Sequence, residues 1–109
     1  MALTHAQALE VIDIRPLGSA LREAVTLSLL KTAHLQLMRL VLPAGRSVPQ
    51  HHVAGEVTVQ CLEGEVTLDV PSRSIDLAAG QLVLLPAGEP HALRARTDAT
   101  VLVTVLLNA

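Results

Sequence analysis

From Thr26 onward the chain is cut into eight short runs, residues 26–32, 35–42, 57–62, 66–70, 74–77, 82–85, 91–96 and 100–107, with Gly or Pro between most of them. Runs of this length, rich in Val, Leu and Thr and alternating apolar with polar, read as β-strands, and the turn residues between them leave no room for a long helix. A succession of eight such strands predicts an all-β fold, a small antiparallel barrel or jelly roll. Residues 1–25 fall outside the pattern. Thr4 followed three positions on by Gln7 predicts a capping box that opens a short helix through about Glu10, with Pro16 and Gly18 marking its exit. The chain therefore divides into an N-terminal arm with a short helix, residues 1–25, and a barrel, residues 26–109.

A chain of 109 residues closes around a single core, and here that core is aliphatic, because Phe, Tyr and Trp are absent. A pocket in such a barrel has no ring on which to stack a flavin, a nucleobase or a quaternary ammonium. Eight basic against ten acidic side chains give a net charge of −2, so no positive field draws in phosphate backbones and nucleic acid is not an expected partner. No apolar stretch approaches the roughly 20 residues of a membrane span. Cys61 is the only cysteine, which suits a reducing compartment, and the first residues lack the basic start and apolar run of a secretory signal. A cytoplasmic location is expected, with no membrane partner.

Alternation assigns faces. His91, Leu93 and Ala95 share one face and point inward, while Arg94 and Arg96 lie outside; Val66, Leu68 and Val70 point inward, and Thr67 and Asp69 outward. Val57, Val59 and Cys61 form an apolar set opposite Glu56, Thr58 and Gln60. A cysteine on the inward set reads as a small hydrophobe rather than a nucleophile. Arg39 shares a face with Leu35, Leu37 and Val41, which makes it either an inward anion ligand or, as the simpler reading, a charge guarding an edge strand. Glu63 and Glu65 flank a turn and read as solvated. The run 100–107 carries Val and Leu on both faces, so its outer face needs a cover, and a second copy of the chain is the simplest one. A homodimer is expected.

Two segments carry the chemistry. In the first, Gly45 is followed six residues on by His51, then His52, and the segment runs on to Gly64; in the second, which starts at Gly80 after fifteen intervening residues, five residues lead to Pro86-Ala87-Gly88 and then His91. Glycines at such positions permit tight turns, and Pro-x-Gly is turn chemistry that presents a histidine at the start of a strand. The pair of segments resembles the two motifs of the cupin superfamily, and the resemblance covers residues 42–96 and, more loosely, the flanking strands. It implies a barrel whose mouth holds His51 and His91. In cupins with an intact metal site the first motif supplies His, a second His two residues later and a Glu four beyond that, and the second motif supplies the last His. Those positions here are His51, Val53, Val57 and His91, so two of the four donors are replaced by valine, and the final Asn of the second motif is replaced by Ala95.

His52 and Glu56 stand next to the vacated positions, and a one-residue bulge beside either would turn a third ligand inward; for Glu56 the alternation of its strand opposes this. Two imidazoles without a carboxylate bind a divalent cation poorly. The expectation is a small-molecule-binding domain with a pocket of His51, His91, Val53, Val57 and Val59, and with no cofactor or a weakly bound divalent metal (iron, manganese, zinc or nickel). Two alternatives stand beside it: a metal-dependent oxygenase or isomerase using His51, His52 and His91, and a structural or interaction module without a ligand.

Overall fold

A computed structural model of the protein describes residues 5–107. Among these residues the chain forms a short 3-10 helix, Gly18–Glu23, followed by nine strands: β1 (Leu27–Lys31), β2 (Leu35–Leu42), β3 (Ser47–His51), β4 (Val57–Glu63), β5 (Glu65–Val70), β6 (Arg73–Ala78), β7 (Leu82–Leu85), β8 (His91–Ala95) and β9 (Ala99–Leu106). They make two antiparallel sheets, a five-stranded one in the order β1-β2-β9-β4-β7 and a four-stranded one in the order β3-β8-β5-β6. The all-β expectation holds. The helical arm differs in detail. Thr4 lies outside the described residues, and Gln7 to Glu10 is a turn in which the Glu10 N–H donates to the Gln7 carbonyl at 3.1 Å and Leu9 takes φ 74°. A single helical turn does not recover the cost of nucleation without packing. The helix forms farther along, where Leu21 is buried against the body of the protein.

The ninth strand, β3, is the one that the sequence pattern misses. Pro49 sits inside it, which argues against a central strand but suits an edge, and β3 pairs only with β8. Between the sheets, alternate residues of β4, β5, β8 and β9 make the core; Val59, Val66, Leu68 and Val101 are each no more than 2% exposed. Removing the Leu68 side chain to Ala would cost about 2–5 kcal/mol.

Arg39 follows neither of its expected readings. β2 lies between β1 and β9 and is no edge, and Arg39 pairs across it with Leu102 on the outside of the barrel. It is nonetheless 6% exposed, because the arm crosses above it: its Nη2 donates to the Arg15 carbonyl and, at 3.4 Å, to the Thr100 hydroxyl. Glu63 is a correction as well. Its side chain is 14% exposed, and its carboxylate accepts the N–H of Leu17 at 2.8 Å, the N–H of Gly18 at 3.1 Å and the Thr100 hydroxyl at 2.8 Å, with Arg39 at 3.8 Å. Glu65, on the other side of the turn, is exposed and paired with Arg96. Glu63 thus fastens the helix-bearing arm to the outer face of the five-stranded sheet. No helix among the described residues is long and apolar enough to cross a membrane.

Burial pushes the Glu63 carboxyl up, but the Leu17 amide, the Thr100 hydroxyl, the Gly18 amide and the Arg39 charge together outweigh it, and its pKa lies below the ordinary glutamate value. A carboxylate depressed on folding stabilises the fold above its unfolded pKa, and that stabilisation is lost as the pH falls through the folded value. Glu63→Gln is expected to lower stability by about 2 kcal/mol at pH 7, since it leaves Arg39 without a counter-charge. The variant's urea midpoint should also fall less steeply than that of the parent below about pH 4.5. Parallel acid limbs for the two proteins would show that Glu63 does not fasten the arm.

Candidate functional site

The site is built where β3 meets β8. Val48 is the register partner of Leu93, and His51 that of His91. Three steps along β3 therefore match two along β8, which is a one-residue bulge spanning Pro49 and Gln50. Simple alternation from Val48 would set Gln50 opposite His91; the extra residue sets His51 there instead. The two imidazoles meet with ring centroids 4.4 Å apart and planes tilted by 57°.

Both rings are oriented in the same way. His51 Nδ1 lies 3.1 Å from the Pro49 carbonyl oxygen, and His91 Nδ1 lies 2.9 Å from the Glu89 carbonyl oxygen. A carbonyl only accepts, so in each ring the Nδ1 carries a hydrogen, and in the neutral imidazole the Nε2 then presents a lone pair. This is the tautomer with which a histidine accepts a hydrogen bond from a ligand or donates to a metal. His91 is 6% exposed, whereas His51 is exposed at the mouth.

Below the pair lies a cavity of about 160 Å³. Of the five pocket residues read from the sequence, His51, His91 and Val59 line it; Val53 and Val57 pack in or against the core without reaching it. The remaining walls, Met38, Leu40, Val48, Leu68, Leu93 and Val103, come from five strands. Leu68 and Leu93 carried an inward signal in the alternation. Met38 and Leu40 did not, because the two faces of β2 are almost equally apolar, and Arg39 marks only in hindsight which face is outside.

Neither candidate third ligand joins the pair. His52 and Glu56 are exposed, and Val57 is 3% exposed on the core side, as the alternation of β4 predicts. The irregularity in β4 falls between Cys61 and Glu63, far from Glu56. Gly55 does not mark a bulge: a Cβ there would stand 2.0 Å from the Leu106 carbonyl oxygen, so glycine is what lets the chain pass β9. Among the described residues no group of three or more His, Cys, Asp and Glu side chains is placed to hold a metal ion. Gln60 lies on the outer face of β4, opposite Leu102.

A family model for the cupin domain matches residues 38–107. The chain belongs to the cupin family. No curated protein is significantly similar to it. Among solved structures, a cupin superfamily protein from Desulfitobacterium hafniense superposes with a TM-score of 0.78 at 23% identity, over 94% of this chain and 100% of the other. A protein of unknown function from Streptococcus pyogenes gives 0.74 at 23% identity, over 100% and 99%. An RmlC-like cupin from Methanocaldococcus jannaschii, with a double-stranded β-helix fold, gives 0.74 at 21% identity, over 94% of each chain. At these identities the likeness is one of fold, and this cupin shares the double-stranded β-helix of two facing antiparallel sheets.

In this cupin Cys61 is completely buried, with Sγ 3.4 Å from the Glu63 carbonyl and 3.3 Å from the Gly64 carbonyl. Desolvation pushes its thiol pKa up, away from the reactive thiolate. Native protein is therefore expected to react with a disulfide thiol reagent only as fast as it unfolds, and to react stoichiometrically in denaturant. Rapid labelling of the native protein would return Cys61 to the list of nucleophiles.

Proposed function

We propose that this cupin binds a compact, largely aliphatic small molecule in the cavity beneath His51 and His91, and that it does so without a tightly held divalent metal. The observation that carries the reading is the pair of backbone-anchored imidazoles, each with Nε2 as acceptor, above walls of aliphatic side chains and a methionine. Two lone pairs at one rim favour a ligand that brings a hydrogen-bond donor, such as a hydroxyl or a protonated acid, over one that offers only a carbonyl. The volume is well below the roughly 300 Å³ at which drug-sized pockets begin, which favours a small ligand.

A divalent metal of the kind held by intact cupin sites does not fit the residues present. The donor set is two neutral imidazoles, and no carboxylate lines the cavity to offset the cation's desolvation. With Val57 sealed into the core and Val53 packed against it, the positions of the missing donors hold methyl groups. No step of chemistry is routed through a metal here, and the oxygenase or isomerase reading lacks its third ligand.

Metal analysis of protein purified without supplementation should find iron, manganese, zinc and nickel well below one equivalent. The double change Val53→His with Val57→Glu should destabilise the apo-protein by about 2–4 kcal/mol, because it buries an unpaired carboxyl, and added Mn²⁺ or Zn²⁺ should restore the loss as a raised melting temperature. Stoichiometric metal in the unmodified protein, lost on His91→Ala, would overturn the proposal in favour of the enzyme. Ligand binding is tested by thermal shift with short aliphatic alcohols, acids and their methyl esters. Stabilisation by the donor-bearing members alone, abolished by His91→Ala, is expected.

A further inference from the structure

The strand registers give the cavity a depth and a closed end. Met38, Val103 and Val59 form one inward rung of the five-stranded sheet, and it faces the rung of Val48, Leu93 and Leu68 on the four-stranded one. His51 and His91 stand to one side of these rungs, two residues along β8 from Leu93, or about 7 Å. On the other side the next inward residues are the pairs Cys61 with Val101 and Val66 with Ala95, each residue no more than 5% exposed. The cavity is therefore sealed at the end away from the imidazoles. A closed apolar cavity of about 150 Å³ holds benzene, so this one, at about 160 Å³, has room for about six non-hydrogen atoms.

Most of the walls cannot give. Val59, Leu68, Leu93 and Val103 are buried in the core, Leu40 pairs with the fully buried Val101 at the sealed end, and Val48 is β-branched and stiff at χ1. Met38 is different, being half-buried, unbranched and flexible. It is also where the apolar lining stops. Its cross-strand partner on β1 is Ser28, whose hydroxyl accepts from the Gln36 Nε2 at 3.0 Å and meets the His5 Nε2 at 2.9 Å. Gln36 is paired with the buried Val105 and so lies on the same inner face. Beyond Met38 the sheet is therefore polar, and an alkyl chain gains nothing by passing it. We infer that Met38 is the end wall that limits ligand length. This rests on reading the cavity as a binding site, and it narrows the ligand class to alcohols of up to about five carbons and acids of up to about four, with the donor group at the imidazoles.

Primary alcohols from propanol to octanol, titrated calorimetrically into the full chain, test the inference. From propanol to pentanol each added methylene should tighten binding about three- to fourfold, and hexanol and longer members should gain nothing more. Met1 and Met38 are the chain's two methionines, so isotopic labelling of the methionine methyl groups reports on the wall itself, and the Met38 resonance should shift when pentanol binds. Met38→Ala takes away the thioether arm, so the limit should move out by about two carbons, whereas Met38→Leu, of similar volume, should keep the limit of the parent. Affinity that goes on rising through octanol in the unmodified chain overturns the inference while leaving the cavity a binding site. So does a limit that stays at pentanol in a Met38→Ala protein with unaltered circular dichroism. A series in which no alcohol binds overturns the binding reading and the inference with it.

Discussion

Strand β9 is the member on which the other elements are hung. Every residue from Ala99 to Leu106 has a partner on β2, and residues from Thr100 to Val105 are also paired with β4. A strand paired on both edges has no freedom to slip, because a one-residue shift would exchange its inward Val101, Val103 and Val105 for Thr100, Leu102 and Thr104. Glycine fixes its position at both ends. A side chain at Gly55 would overlap the Leu106 carbonyl, and one at Gly64, which also has φ 77°, would stand 2.1 Å from the Asp98 carbonyl oxygen. The strand is thus held lengthwise by two close backbone approaches and sideways by two ladders.

Its outer face then divides the molecule's surface chemistry. At the Thr100 end the hydroxyl donates to Glu63, and the same carboxylate holds two amides at the start of the 3-10 helix, so the arm is drawn down over Arg39. At the Leu106 end Glu56, Leu84 and Leu106 line an open groove with no residue of the described arm among its walls. Glu63 therefore fastens the arm over the Arg39 end of that face.

How far the sequence discloses this depends on the range of the interaction. Period-two alternation is local, and it places His91, Leu93, Val57, Val59 and Leu68 on the inner side as found. It fails at β3, where Pro49 hides an edge strand and a bulge shifts the phase, so no counting from Val48 would bring His51 inward. It is silent for β2, whose two faces are almost equally apolar. Glu63 was unreadable for a different reason: its partners Leu17 and Thr100 are 46 and 37 residues away, and only the folded turn beside Gly64 brings them together.

The electrostatics of the cavity follow from where the charges went. Arg94, Arg96, Asp69 and Glu65 pair with one another on the outside of the four-stranded sheet, and Arg39 and Glu63 pair on the outside of the five-stranded one. Among the described residues that line the cavity none is charged. The polar side chains of its lining are two rings whose orientation is set by the backbone carbonyls of Pro49 and Glu89, each two residues before its histidine. That arrangement needs neither a metal nor a carboxylate to persist, because both ring contacts are made by the chain's own backbone.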